Sequence, residues 1–321
     1  MFGGTRVVAS LGEVPVVDEP LTRPTTCAQY WERQAQFHDE ESFAAARAYQ
    51  PRADDVFVVT PSKSGTTWTQ QIVHQLRTGG SMDFDNINDV VPWLEMALLL
   101  GVHVDDPQVA DPRAFKTHSP LHQVPNGGRY VVVLRDPQDA LLSLHRFFDG
   151  SFIEAGAIDL ETFTSGIFVP KSDLNGHVAA VWPRRNDPDV LLLCYEDMKD
   201  DLPSAVRRIA TFIGIELDDE LLDVVVRQSS IGFMKQHEDK FEDSLLFEAF
   251  RGPMRLPPVA QLSKVRTGQV GESHEHVTDA IRRDLDELWR GGAGATTGLP
   301  SYAALRAAIT NNPRSAERTR P

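Results

Sequence analysis

Three short segments carry residue types that can do chemistry at useful spacing. In VFVVTPSKSGTTWTQQ (56–71) a β-branched run enters a turn holding Lys63, Ser64 and Gly65, and Thr66, Thr67 and Trp68 open the next segment. A turn placed ahead of a helix binds anions, because the first helical N–H groups lack intrahelical partners and the helix dipole adds positive potential. Lys63 and the hydroxyls of Ser64, Thr66 and Thr67 are then placed to surround a phosphate-like group. The nucleoside-triphosphate loop G-x-x-x-x-G-K-[ST] is not matched: the lysine precedes the glycine by two positions, and only one glycine is present. In AFKTHSPLHQVP (114–125), Lys116 and His118 flank a threonine where a strand-like stretch meets a turn. In RYVVVLRDPQDALLSLHRFF (129–148), Arg135 sits where a buried run gives way to a helix, and Ser143 lies about two turns further on. That junction is where open parallel sheets bind ligands.

Taken singly, each segment has a plainer explanation: a capped surface turn, a solvated histidine, an arginine paired with Asp136 or Asp139. In this order and spacing, the three together form a specific pattern.

The elements that must position these residues follow from periodicity. VFVVT (56–60), RYVVVL (129–134) and DVLLLCYED (189–197) read as buried strands. Helices follow: Trp68, Ile72 and Leu76 lie four apart before Gly79 and Gly80, Asp136 and Pro137 suit an N-cap and first turn, and LPSAVRRIATFIGI is helical. Alternating strands and helices predict a single α/β domain, a central mostly parallel sheet flanked by helices with a P-loop-like turn. Residues 27–49 also read as helical, with Tyr30, Trp31, Gln34 and Phe37 on one face. The expected limits are an extended arm over 1–25, the domain over 26–310 and a disordered tail over 311–321, with 237–265 irregular.

Composition bounds the function. At 41% hydrophobic and 24% charged residues, 321 residues can build an ordinary core. With 32 Lys+Arg against 46 Asp+Glu the net charge is -14, which argues against nucleic acid as a partner and against adhesion to anionic membranes. Cys27 and Cys194 are the only cysteines and offer no zinc or redox spacing. The N-terminus has no basic start followed by an apolar core, and VVPWLEMALLLGVHV (90–104) is interrupted by Pro92 and Glu95 and too short to span a membrane. The expectation is a soluble, cytoplasmic protein. A high Arg:Lys ratio and Ala/Asp-rich segments point to a high-GC bacterial genome.

The chain resembles the soluble sulfotransferases that use 3′-phosphoadenosine 5′-phosphosulfate (PAPS). Their phosphosulfate loop corresponds to PSKSGTTW, Pro61 to Trp68; their lysine-threonine-histidine to Lys116, Thr117 and His118; their 3′-phosphate signature to Arg135, Asp136, Pro137 and Ser143. A stretch touching the adenine edge corresponds to Tyr195, Glu196, Asp197 and Met198, and the likeness runs on through QSSIGFMKQ (228–236) to VRTGQVG (265–271). It covers most of the chain from about Val56 to Gly271.

The resemblance implies direct in-line transfer of the sulfuryl group to a hydroxyl of a small-molecule acceptor, leaving 3′,5′-adenosine bisphosphate (PAP), with no metal. It makes His118 the general base, for which an unperturbed pKa of ~6.5 is well suited. Lys63 stabilises the leaving oxygen, and Lys116 adds positive potential at the sulfuryl group. Thr66 and Thr67, with backbone N–H groups, would hold the 5′-phosphate within a cofactor-binding loop that includes Lys63, Ser64 and Gly65, Trp68 and Tyr195 would meet the adenine, and Arg135 and Ser143 would grip the 3′-phosphate. Ser229, Arg266, Thr267 and Gly268 complete the nucleotide site.

Several positions depart from the family. Ser229 and Ile231 replace threonine and phenylalanine, Thr267 removes a lysine that would meet the 3′-phosphate, and Gly271, Glu272, Ser273 and His274 replace glycine-aspartate-tryptophan-lysine. The dimerisation pattern of the animal members is missing from HVTDAIRRDLDELW, so monomer and homodimer both stay open. A PAP- or PAPS-binding protein without efficient turnover is one alternative; a small-molecule kinase is another, against which the Lys63–Gly65 order counts.

The expected acceptor walls are Trp93, Leu94, Met96 and Leu99, then Phe147, Phe148 and Phe152, then Phe241, Phe247 and Phe250. The last three belong either to a lid or to an amphipathic helix with Phe247 and Phe250 inward. Net acidity does not exclude an anionic donor. Lys63, Lys116, Arg135 and Arg266 are assigned to one site, and at a Debye length of ~8 Å the local cluster outweighs the distant surface.

Overall fold

Four β-branched and aliphatic runs form the strands: β1 (Val56–Val59), β2 (Ala114–Thr117), β3 (Arg129–Leu134) and β4 (Val190–Cys194). The structure is a computed structural model that describes residues 20–37, 40–171, 173–259, 262, 264, 265, 268 and 270–311. Residues 1–19 of the arm expected over 1–25, residues 312–321 of the tail expected over 311–321, and Arg266 and Thr267 lie outside the described residues.

The strands form one sheet in the order β2-β1-β3-β4, every pair parallel. Val56 stands beside both Ala114 and Arg129, and Tyr130 beside Val190. From β1 the chain goes to β2 on one side and then to β3 on the other. The crevice between the carboxyl ends of β1 and β3 is therefore the switch point where such sheets take ligands.

The helices that flank the sheet and frame the site are α1 (Cys27–Gln34), α2 (Glu40–Ala48), α3 (Thr66–Thr78), α4 (Pro137–Phe148), α5 (Asp173–Val181), α6 (Tyr195–Asp200), α7 (Leu202–Ile213), α8 (Asp219–Gln228), α9 (Ile231–Gln236), α10 (Ser244–Arg251), α11 (Asp279–Gly291) and α12 (Tyr302–Thr310). Alternation along the strands splits the core in two. Val58, Val131, Val133 and Leu191 pack with Ile72 and Leu76 of α3 and Val206 and Ile209 of α7. Phe57, Val59, Val132 and Leu192 pack with Val178 of α5, Trp289 of α11 and Leu305 of α12. Each such apolar side chain contributes about 1.5–3 kcal/mol when fully buried, so the sheet is a rigid base for the loops at its carboxyl edge.

Three expectations change. The helix read over 27–49 is two helices, with residues 35–37 leaving helical structure after α1. The strand read over 189–197 ends at Cys194, because Tyr195 already begins α6. The irregular region 237–265 contains a 3-10 turn at Glu238–Phe241 and the amphipathic helix α10. No helix among the described residues is long and apolar enough to cross a membrane.

Candidate active site

The turn after β1 is built around two left-handed residues. Lys63 has φ 63 and Gly65, the N-cap of α3, has φ 92. Glycine is required at 65 for a second reason: a Cβ there would lie 2.7 Å from Tyr195 Cδ2. Thr60 and Thr66 share a hydroxyl hydrogen bond of 2.5 Å that ties strand to helix. Lys63 Nζ rests 4.1 Å from the centre of the Phe147 ring. Ser64 differs from expectation. Its side chain is buried beneath the loop, lining a small pocket with Pro61 and Pro137 rather than the main cavity. The left-handed residues on either side turn it under, so its hydroxyl is not among the groups facing the cavity.

Arg135 leaves β3 toward this turn. Its Nη1 donates to the Lys63 carbonyl at 3.0 Å, and its guanidinium lies 4.4 Å from the Tyr195 ring centre. Asp136 does not pair with it; the Asp136 carboxylate caps α4 by accepting from Gln138 N at 2.8 Å. Glu196 joins this turn to the C-terminal helix, accepting from Asp136 N at 2.9 Å and from the Tyr302 hydroxyl at 2.7 Å. Asp139 likewise receives the amides of Gly271 and Ser273, which brings the late segment alongside α4.

An aromatic slot stands beside these cations. Trp68 meets Tyr195 edge-on at 5.3 Å and donates through Nε1 to the Ser229 carbonyl at 2.7 Å. Ser229 is fully buried, and its hydroxyl has no hydrogen-bond partner among the described residues. Ile231 packs against Gly268, where an added Cβ would come within 3.2 Å of Ile231 Cδ1. Lys63, Gly65, Thr66, Thr67, Trp68, Lys116, His118, Arg135, Ser143, Tyr195, Ser229 and Gly268 all border one cavity of about 810 Å³. Of the expected site residues within the described chain, Ser64 alone does not.

At the end of β2 the half-buried His118 opens onto the same cavity. Its Nδ1 lies 2.9 Å from the Thr60 carbonyl, which can only accept, so Nδ1 carries the proton and Nε2 is left with a lone pair. Burial first, and then the charge of Lys116, pushes the imidazole down to about 3. The free ring is thus held neutral near neutral pH with a low proton affinity, unlike the ordinary histidine that the sequence suggested. Lys116 is buried over the Trp93 ring at 4.4 Å, and burial, reinforced by the charge of Lys264, pushes it down to about 7.

The apolar walls of the cavity are partly those expected from the sequence. Trp93, Met96, Phe147, Phe148, Phe152, Phe247 and Phe250 border the cavity. Leu94, Leu99 and Phe241 instead fill the core, each pointing away because it sits on the buried side of its own turn. The segment 241–250 includes the amphipathic helix α10 with Phe247 buried, and the side of it that carries Phe247 and Phe250 also walls the cavity, so it is at once a packed helix and a cover for that cavity.

Sequence reasoning missed two contributions. The face formed by Tyr30, Gln34 and Phe37 was legible as a helical stripe, yet nothing in it said that it walls the cavity. The other is an ion pair between Asp243 and Lys264 at 2.7 Å, both nearly buried at the cavity edge. Burial pushes the Asp243 carboxyl up, but the charges of Lys264 and Lys116 outweigh it and hold the group well below the usual carboxylate range. No motif marked either residue. Among the described residues no three His, Cys, Asp or Glu side chains converge as a metal site.

Residues 53–297 match the family described as Sulfotransferase domain. The chain is 28% identical over 288 residues to sulfotransferase 1B1 of Canis lupus familiaris, covering 85% of this chain and 90% of that protein. It is 33% identical over 199 residues to the amine sulfotransferase of Oryctolagus cuniculus, covering 58% and 65%. Among solved structures, mouse sulfotransferase SULT7A1 complexed with PAP superposes with a TM-score of 0.60 at 21% identity, over 86% of this chain and 94% of that one. Retinol dehydratase in complex with androsterone and inactive cofactor PAP gives 0.62 at 20% identity, over 78% and 84%.

Proposed function

The chain belongs to the sulfotransferase domain family, and from that premise we propose that it moves a sulfuryl group from PAPS to a hydroxyl of a small-molecule acceptor by direct in-line displacement. One observation carries the proposal: a single cavity joins the turn at the N-terminus of α3, the Arg135 guanidinium, an aromatic slot and His118, whose Nδ1–H is engaged by the Thr60 carbonyl. The donor set fits a bisphosphorylated nucleotide. There is a turn with no room for a Cβ at Gly65, an unpartnered buried hydroxyl at Ser229, and cations at two separate places.

When bound, such a nucleotide supplies an activated sulfuryl group on a phosphate leaving group. The N-terminus of α3 with Thr66 and Thr67 would hold the 5′-phosphate; Arg135 and Ser143 would hold the 3′-phosphate; Trp68 and Tyr195 would flank the base. His118 Nε2 takes the acceptor's proton as the acceptor oxygen bonds to sulfur, and the former phosphate–sulfur link breaks. Lys63 stabilises the charge gathering on the departing oxygen, and Lys116 faces the transferred group. The low proton affinity of His118 in the free protein suits this role once polyanionic donor is present, because negative charge beside the ring raises its pKa.

Calorimetry with PAP, alongside release of PAP from PAPS in the presence of hydroxyl acceptors, tests the reading. PAP binding and acceptor-dependent turnover are expected, with turnover lost in His118→Ala. Preference for ATP with Mg²⁺ over PAP would overturn it.

A further inference from the structure

Residues 92–96 run beside the end of β2 and are fastened to it. Lys116 N donates to the Pro92 carbonyl at 2.8 Å, and Trp93 bridges to Lys116 in parallel. The single turn Leu94–Met96 then brings Glu95, 4% exposed, beneath the segment that carries His118. Glu95 Oε1 accepts from the Thr117 hydroxyl and, at 2.9 Å, from the Ser119 amide. One oxygen thus grips the chain immediately before and after His118. The other, Oε2, is buried with no hydrogen-bond partner among the described residues. A half-satisfied buried carboxylate is a poor choice for stability alone, since an apolar side chain of similar size would avoid the desolvation cost.

The same segment faces the reaction on its other side. Trp93 meets the His118 ring edge-on at 4.9 Å, and both Trp93 and Met96 border the cavity. We propose that Glu95 is a positioning residue: by holding Thr117 and Ser119 it fixes the direction of His118 Nε2, from a segment whose neighbouring side chains touch the incoming acceptor. Its kinetic consequence rests on the sulfotransfer reading, whereas its structural consequence, the orientation of His118, does not. Misplacing a catalytic group by about 1 Å costs on the order of 10²-fold in rate.

The test uses the full chain and three variants. Glu95→Ala is expected to lower kcat by about 10–100-fold, with PAP affinity within about twofold of wild type. Nitrogen NMR of His118 in the free protein should move from the single Nδ1–H tautomer toward a mixture. Glu95→Gln, whose amide oxygen can accept the same two bonds, should recover most of kcat and the single tautomer. Thr117→Val, which removes one of the two bonds, should fall between them. The two volume-conserving variants decide the matter if Glu95→Ala does not fold. An unchanged His118 tautomer in both Glu95→Ala and Thr117→Val overturns the proposal, as does a parallel loss of melting temperature and PAP affinity in Gln and Ala variants alike. If the chain moves no sulfuryl group, the tautomer and PAP measurements still decide whether Glu95 orients His118.

Discussion

The two halves of the cavity are made in different ways. The half proposed to take the donor comes from residues close in sequence to strand ends: Lys63, Gly65 and Thr66 after β1, Arg135 after β3, Tyr195 after β4. It relies on backbone N–H groups, a left-handed glycine and cations, so a few substitutions would ruin it. The half proposed to take the acceptor draws side chains from α1, from the turn after Pro92, from α4 and from α10. It relies on apolar area spread over many rings, each replaceable. On the proposed reading, polar precision concentrates where the charged donor would lie, and redundancy where the acceptor would lie.

The sharpest break of that comparison is at the junction of the two halves. His118→Ala should lower kcat by about 10²–10⁴-fold while PAP affinity, read by calorimetry, stays within about twofold. A comparable loss of PAP binding would place His118 in the donor half. Arg135→Ala should weaken PAP by about 1.5–3 kcal/mol, the scale of a charged hydrogen bond, and unchanged affinity would remove it from the donor half. Gly65→Ala forces a side chain at φ 92 and against Tyr195. A cost of about 1–3 kcal/mol should show in both melting temperature and PAP affinity.

On the acceptor side, Phe250→Ala removes a ring lying 4.2 Å from Phe37. One aromatic contact of about 0.5–1.5 kcal/mol should raise acceptor KM several-fold and leave PAP affinity alone. A shift in PAP affinity of equal size would show the halves to be coupled. The smallest effect is in pH. Lys116, held near 7, is charged below that value and neutral above it. kcat/KM for PAPS should therefore decline as pH rises from 6 to 8, and Lys116→Met should flatten the profile. His118, neutral down to about 3, should add no acid limb above pH 5. A fall in kcat/KM between pH 7 and 5 would contradict its low proton affinity.

Legibility follows the same division. RYVVVL reads as a strand over 129–134 and forms it to the residue, and Asp136 caps α4 as its type and place suggest. The turn at Lys63–Gly65 is readable because glycine and cation requirements are local. The inward-facing set at the acceptor is only partly readable: Trp93 and Met96 reach the cavity, whereas Leu94 and Leu99 do not. Hydrophobicity states that a side chain is buried without stating what buries it. Asp243 and Lys264 are invisible in the sequence, because their pairing depends on α10 folding back toward the end of β2.

By itself the sequence determined the cores of three of the four strands, the turn ahead of α3, the order of Lys63, His118 and Arg135, and the chemistry those residues suit. These are local matters, settled by side-chain type, backbone conformation and short-range spacing. Tertiary structure decided what depends on distant neighbours. It turned Ser64 under its loop, gave His118 a carbonyl that frees Nε2, lowered Lys116 to about 7, and set Glu95 beneath the histidine. Burial and charge in a shared low-dielectric site act through space, between residues that the chain alone does not bring together.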